Sequence, residues 1–257
     1  MSKFFKKSYL TIILLFLYLP IVVLIFQSFN AGKSRAKWEG FSFRWYEELF
    51  RDEAIMKALY ITVAVAVIAA IVATVLGTLA AIGIHAMKKR PQSIMMSVTN
   101  LPMTIPDIVT GISLMIFFTF TQVERGFVTM LCAHITFNTP YVILSVLPKL
   151  KQMNKHIYEA ALDLGATPTY SLFHVILPEI KEGVITGALL AFTLSLDDFV
   201  ISYFTTSPMV QNLSTIIYSK ARIGIEPTLN ALSALMFLAL LLLLICVNRR
   251  TQKDVKA

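Results

Sequence analysis

The sequence predicts an all-α membrane protein with six transmembrane helices, and three observations support this fold class. Hydrophobic residues make up 56% of the 257 residues and charged residues only 15%, whereas a soluble domain carries about 25% charged residues. The mean hydropathy is +0.71. The apolar residues are gathered into six runs, each near or beyond the roughly 20 residues that a bilayer-spanning helix needs. We therefore expect one transmembrane domain over residues 1–257.

The six predicted spans are residues 10–26, 58–84, 93–120, 127–147, 183–204 and 229–247. The first is expected to be an uncleaved anchor, because its apolar run contains Pro20 and its exit lacks a small-residue cleavage site. The third is expected to be kinked or broken, because Pro102, Pro106 and Asp107 interrupt it.

Positive charges predict a cytoplasmic membrane protein with both termini inside. With the N-terminus inside, fourteen of the 23 basic residues fall in inner segments, as the positive-inside rule requires. They are Lys3, Lys6, Lys7, Lys88, Lys89, Arg90, Lys149, Lys151, Lys155, Lys181, Arg249, Arg250, Lys253 and Lys256. The net charge of +8 therefore indicates membrane topology and contact with lipid, not a nucleic-acid surface.

The first outer loop, residues 30–57, mixes aromatic and charged residues around Trp45. This composition is typical of a helix lying at the outer membrane surface. The alternative is a contact with a substrate-delivering protein, for which Trp45 is the best candidate.

Three acidic residues, Asp107, Asp197 and Asp198, lie inside otherwise apolar spans. An intramembrane carboxylate costs at least about 2.5–3.5 kcal/mol, so it needs a partner, a water-filled path or a cationic ligand. Asp107 follows Ser93 by 14 residues, and Asp197 follows Gly183 by 14 residues. At about 1.5 Å per residue, both lie about 21 Å from the inner boundary. We therefore expect these acids to line one site.

Helical spacing gives each acid a predicted face. Asp198 shares a polar stripe with Ser195, Ser202 and Thr205, whereas the neighbours of Asp197 are mostly apolar. The interpretation is that Asp198 faces a substrate path more directly than Asp197, with Ser195 and Ser202 beside it. In the alternative reading, Asp107 caps a half-helix and Asp197 pairs with His134 or with a neighbouring subunit.

Two further polar residues of the fourth span, His134 and Asn138, are interpreted as helix–helix hydrogen bonders ahead of ligands. No Lys or Arg lies in any span core, which favours a cationic substrate over an anion. No spacing of His and Cys indicates a metal site.

A polar island between the fourth and fifth spans carries the most specific motif. It reads Glu159-Ala160-Ala161, then Gly165, and later Val175-Ile176-Leu177-Pro178. This pattern resembles the cytoplasmic loop by which permease subunits of bacterial ABC importers dock on their ATPase. The runs 195–200, 106–109 and 137–141 extend the likeness to spermidine/putrescine permeases of the PotC type.

The resemblance implies a MetI-like importer-permease fold and a polyamine substrate. It also implies a second permease subunit, an ATPase homodimer and an extracytoplasmic polyamine-binding protein. ATP and Mg would be held by the ATPase, and this chain would hold no cofactor and catalyse no reaction, in keeping with its lack of a phosphate-binding loop sequence.

Within this resemblance, residues 149–182 form the docking loop. Glu159 pairs with a basic residue of the ATPase, and Tyr158, Ala160 and Ala161 pack in its groove. Gly165 supplies a turn with positive φ. Pro178 ends the loop helix.

Other functions were weighed against this one. An intramembrane aspartyl protease is disfavoured, because Asp197 and Asp198 point about 100° apart on a helix and the protease motif is absent. A permease for ferric iron, thiamine or another cationic or neutral solute is the main alternative. A structural membrane subunit without a transport path is the third.

Overall fold

The computed structural model describes residues 3–34, 37–154, 156–224 and 226–254, with side chains from residue 8 to residue 242. Apart from two isolated β-bridges, the regular structure of the described residues is helical. The helices are α1 Lys3–Ser28, α2 Arg44–Arg51, α3 Glu53–Ala86, α4 Lys89–Thr104, α5 Asp107–Phe120, α6 Phe127–Gln152, α7 His156–Asp163, α8 Pro168–Ser171, α9 Leu177–Glu179, α10 Lys181–Asp197, α11 Val200–Thr205, α12 Leu213–Ile223 and α13 Pro227–Asp254.

Three of the described helices are long and apolar enough to cross a membrane: α1 from Ser8, α3 and α6. The pair α4 and α5 is bent by 99° at Ile105 and Pro106 and makes a fourth span if it is counted as one. The predicted break in the third span is therefore confirmed. It occurs where Pro106 follows Ile105, which is held in an extended conformation. The total of six spans stays a prediction.

The chain divides into two compact units, residues 1–57 with 217–257, and residues 58–216. In the first unit, Asn30 organises the loop after α1. Its side-chain amide donates to the carbonyl of Lys37, and its Oδ1 accepts from the N–H of Glu39. Trp45 of α2 donates its indole N–H to the Asn30 carbonyl and is 2% exposed.

The helix predicted around Trp45 is therefore present, but the burial of Trp45 removes its indole from the surface of the unit. Its role is to fasten α2 to the Asn30 loop. The large aromatic side chains that this loop does expose are Trp38, Phe41, Phe43 and Phe50.

An ion triad in the same unit joins α12 to the starts of α3 and α13. The Lys220 ammonium donates to Asp52 at 3.2 Å and to Glu226 at 3.1 Å. Partial burial alone would raise the pKa of Asp52, but the Ile55 N–H and Lys220 outweigh it and hold this pKa below its usual value. Burial likewise works to lower the pKa of Lys220, and hydrogen bonds to Glu226 and Asp52 hold it above its usual value.

In the second unit, α6 packs along α10 through small residues spaced four apart. A Cβ on Gly183 would lie 2.9 Å from the Ser145 carbonyl oxygen, and one on Gly187 would lie 3.1 Å from Val142. Ala191 and Ser195 continue the stripe and are buried. Small residues let two helix backbones approach closely, as in membrane helix pairs. The contacts run in opposite chain directions, so α6 and α10 are antiparallel.

The predicted fifth span, residues 183–204, is not one continuous helix. Helix α10 ends at Asp197, and α11 begins at Val200. Asp198 between them is extended, with φ −61° and ψ 126°. The break has a local cause in the side chain of Asp198, which is described next.

Candidate translocation and docking sites

Asp198 caps the second half of the broken helix. Its Oδ2 accepts from the N–H of Ser202 at 2.8 Å, and its Oδ1 accepts from the N–H of Ile201 at 3.3 Å. The first N–H groups of a helix have no partner within the helix, and a carboxylate placed before them satisfies two of them. Asn212 strengthens the break by donating to the Asp198 carbonyl at 3.3 Å. Both oxygens of the Asp198 carboxylate thus accept hydrogen bonds from the backbone of α11.

His134 of α6 bridges both sides of the same break. Its Nδ1 lies 2.6 Å from Ser195 Oγ on α10, and its Nε2 lies 2.9 Å from Ser202 Oγ on α11. The Asp198 carboxylate lies 3.5 Å from Nε2. One neutral tautomer satisfies these contacts: Nε2–H donates toward Ser202 and Asp198, and Nδ1 accepts from Ser195. The prediction that His134 bonds helix to helix is confirmed.

Asn138 lies one turn further along α6 and behaves differently. It is fully buried, yet neither atom of its amide has a hydrogen-bond partner among the described residues. The expectation of a helix–helix hydrogen bond from Asn138 is therefore not met in this structure.

The predicted facing of the two adjacent acids toward a substrate path stays a prediction, but their exposure in this chain runs in the opposite order. The polar stripe of Ser195, Ser202 and Thr205 is buried, and its two serines bond His134. The side chain of Asp198 is only 10% exposed. Asp197, the last residue of α10, is exposed. The partner of His134 is also Asp198, not Asp197 as the alternative supposed.

Asp107 begins α5 directly after the 99° bend and is also exposed. Its carboxylate makes no capping hydrogen bond among the described residues, so the half-helix cap proposed as an alternative is not formed. Each of the two helix breaks in this unit thus exposes one acid, Asp107 or Asp197.

The equal depth predicted for Asp107 and Asp197 stays a prediction. The bend of 99° after α4 means that the residue count from Ser93 does not measure a distance along one helix axis.

The polar island forms a compact segment of short helices. Gly165 follows α7 with φ +85°, which confirms the predicted left-handed turn. Glu159 and Ala160 are exposed, and Leu164 is 89% exposed. Glu159 lies 3.1 Å from His156, and both of their side chains are largely exposed to solvent. This surface is open to a partner.

One predicted docking residue is placed differently from expectation. Tyr158 is half-buried against the core of its own unit, which includes Leu150 and Ile176. Pro178 lies in α9, the last part of a helical run that continues unbroken from α8 through the π-helical turn Leu172–Ile176 and ends at Glu179. Pro178 is therefore at the end of the loop helix, where it was predicted.

An ion pair closes the base of this segment. Lys149 near the end of α6 donates to Glu182 in the first turn of α10. The hydrogen bond and charge of Lys149 hold the pKa of Glu182 below its usual value. The end of α6 and the start of α10 are thus held together, with residues 150–181 forming the segment between them.

Comparison with known proteins accounts for this architecture. Residues 73–255 match the family described as binding-protein-dependent transport system inner membrane component. The putrescine permease PotI of Escherichia coli (strain K12) is 40% identical over 228 residues, covering 86% of this chain and 81% of PotI. The spermidine/putrescine permease PotC of Haemophilus influenzae is 35% identical over 255 residues, covering 99% of both chains.

The chain belongs to this family of inner membrane permeases. PotC of Escherichia coli (strain K12) is a further relative, 34% identical over 253 residues and covering 98% of this chain and 96% of PotC. As an ABC transporter permease subunit, the chain is membrane-embedded and is not itself the ATPase.

Solved structures show the fold of this permease. It superimposes with a TM-score of 0.75 on a bacterial ABC transporter involved in the import of the acidic polysaccharide alginate, at 16% identity over 99% of this chain and 96% of that one. The MetNI methionine ABC transporter, in an inward-facing form, gives a TM-score of 0.66 at 17% identity over 84% of this chain and 99% of that one. The MetI-like importer-permease fold predicted from sequence is confirmed.

Proposed function

We propose that this permease is one of two membrane subunits of an ATP-driven importer that carries polyamines, spermidine or putrescine, into the cytoplasm. The observation that carries the proposal is the pair of exposed acids at helix breaks, Asp107 and Asp197. The spans contain no lysine or arginine to balance them. Carboxylates placed in this way favour a cation, and relatives carry spermidine and putrescine in their names.

The two acids belong to one path in this proposal. A flexible polyamine presents charges along its length, because its ammonium groups have pKa values near about 10.4. Two separate carboxylates let it pass from one charge contact to the next. Asp198, Ser195 and Ser202 belong to the path as the support of the break beside Asp197, since they are buried or nearly buried.

The docking surface around Gly165 couples this path to ATP hydrolysis. An ATPase homodimer binds the exposed residues Glu159, Ala160 and Leu164, with Ala161 beside them. ATP and Mg reside on the ATPase, and this chain holds no cofactor. Closure of the ATPase moves residues 150–181, and the Lys149–Glu182 pair passes that movement to the antiparallel α6–α10 pair. The break at Asp198 lies at the far end of α10 from this pair.

The remaining partners follow from the same assignment. A second permease subunit completes the path, and an extracytoplasmic polyamine-binding protein delivers the substrate at the loop of residues 30–57. Both termini lie in the cytoplasm, in keeping with the excess of basic residues in the inner segments. In this proposal, the binding protein contacts the exposed aromatic residues near Trp45 and not Trp45 itself, which is buried.

The test is uptake by the complete transporter reconstituted in proteoliposomes with its binding protein. Labelled spermidine should accumulate only with internal ATP, and unlabelled putrescine should compete. Competition by thiamine or ferric citrate, with none by putrescine, would assign the chain to the alternative substrates. Absence of any ATP-dependent uptake by an assembled complex would favour a structural subunit.

A further inference from the structure

The break between α10 and α11 is held by more bonds than helix capping needs. Asp198 caps α11, and Asn212 donates to Ser202 Oγ at 2.8 Å as well as to the Asp198 carbonyl. His134 adds two bonds that reach across the break, one to α10 and one to α11. The ring is 2% exposed, so these bonds are shielded from water.

An imidazole ring is well suited to fix an angle. Its two nitrogens are held rigidly on opposite edges, so hydrogen bonds to Ser195 and Ser202 restrict the orientation of one helix relative to the other. His134 itself is fixed on α6, which packs against α10 through Gly183, Gly187 and Ala191. Contacts with α6 therefore fix the direction in which the C-terminal end of α10 points.

We propose that His134 is a positioning residue for translocation: its bridge between Ser195 and Ser202 fixes the helix break and so keeps the Asp197 carboxylate on the exposed side. This inference rests on the proposed function, in which Asp197 meets the cationic substrate. His134 itself is buried and does not touch the substrate. Without the bridge, α10 and α11 change their relative angle, and Asp197 turns with the end of α10.

The test reads the position of residue 197 without using transport. Asp197→Cys is made in a chain whose other cysteines are removed by Cys132→Ser and Cys246→Ser, and the full transporter is reconstituted. The probe is a positively charged methanethiosulfonate reagent. Adding His134→Leu should slow modification of residue 197 by about fivefold, the factor that one buried hydrogen bond typically contributes to an equilibrium. His134→Gln, which keeps a donor and an acceptor, should recover most of the rate.

Asn138→Leu is the matched control. It lies four residues from His134 on the same helix, is equally buried, and makes no hydrogen bond among the described residues. It should leave the labelling rate unchanged. If His134→Leu prevents assembly, Ser195→Ala removes one arm of the bridge and should slow labelling in the same direction.

Uptake measurements on chains that retain Asp197 separate this inference from the proposed function. His134→Leu should raise the KM for the polyamine, and should add nothing further once Asp197→Asn is present. If Asp197→Asn lowers uptake while neither His134→Leu nor Ser195→Ala changes labelling or KM, the positioning role is overturned and the proposed function stands. If labelling responds to His134 but Asp197→Asn leaves uptake intact, the positioning role stands and the path assignment fails.

Discussion

Asp197 and Asp198 are adjacent in sequence and differ in almost everything else. Asp198 is nearly buried and accepts two backbone N–H bonds, whereas Asp197 is exposed at the end of α10. Helical periodicity identified the shared face of Asp198, Ser195 and Ser202 but assigned it to the substrate. The same polarity that suits a path also suits a buried network, and the sequence alone does not distinguish them. The distinguishing partner, His134, is more than sixty residues away in the chain.

Replacement of Asp198 should affect stability first. Asp198→Ala removes the cap of α11 and should lower the free energy of unfolding by about 0.5–2 kcal/mol, the range for lost helix caps. Asp198→Asn should recover much of this loss, because asparagine is an equally good cap. The measurement is the thermal stability of the detergent-purified transporter. Equal stability of the alanine variant and wild type would show that Asp198 does not hold the break.

At the scale of elements, the sequence predicted the helices on either side of both helix breaks, but it predicted only one of the two breaks. The break at Pro106 was predicted because proline leaves a mark in the sequence. The break at Asp198 was not, because residues 195–200 contain neither proline nor glycine. It arises from a carboxylate cap and from tertiary bonds to α6 and Asn212. The sequence likewise does not predict the size of the bend between α4 and α5, which is 99°.

Two glycines of α3 should respond oppositely to the same substitution. A Cβ on Gly77 would lie 2.6 Å from the Cβ of Val142, whereas one on Gly83 would meet nothing within 4 Å. Gly77→Ala should therefore destabilise the protein by about 1–3 kcal/mol through overpacking. Gly83→Ala should be neutral or stabilise by up to about 1 kcal/mol through helix propensity. Thermal denaturation of both variants checks this, and similar behaviour of the two would contradict the close contact of α3 with α6.

The Lys220 triad predicts a particular pH dependence. The pKa of Asp52 is lowered on folding, so its contribution to stability is complete above about pH 5 and lost as pH falls below about 4. The pKa of Lys220 is raised, so its contribution is complete at neutral pH and lost as pH rises above about 10.4. The destabilisation caused by Lys220→Met should therefore be constant between these limits and shrink outside them.

The comparison for this prediction is Lys57→Met, which replaces an exposed lysine that forms no ion pair among the described residues. Because the triad is partly exposed, solvent screening limits the expected difference to about 1 kcal/mol or less. Thermal melts of wild type and both variants across pH give the answer. A Lys220→Met effect that is equally large at pH 3 would mean that the Asp52 pair contributes nothing.

At the scale of the whole molecule, the exposed residues fit a subunit that binds partners. The proposed docking segment exposes Leu164 and Glu159, and two acids are exposed at helix breaks. The docking segment was predictable because its pattern is local and includes a glycine that must take positive φ. The inward turn of Tyr158 was not, because it depends on packing against Leu150 and Ile176.

Leu164→Asp should reduce co-purification of the ATPase by at least about tenfold, because burial of an unpaired carboxylate at an interface costs more than the loss of an apolar contact. Glu159→Lys should act in the same direction. Phe50→Asp is the matched control, since it changes an exposed apolar residue of α2 in the predicted outer loop. The docking assignment fails if Leu164→Asp and Glu159→Lys both retain the ATPase as well as Phe50→Asp does.

The most direct test of the central claim is a comparison of substrates that differ in charge. Uptake of spermidine, putrescine and a neutral diol of similar length would be measured with the reconstituted wild-type transporter and with Asp107→Asn and Asp197→Asn. The account predicts uptake of both amines and not of the diol, and a loss of amine uptake by about tenfold or more in each variant, the scale of one hydrogen bond to a charged group. Equal transport of the diol, or full amine uptake by both variants, would contradict it.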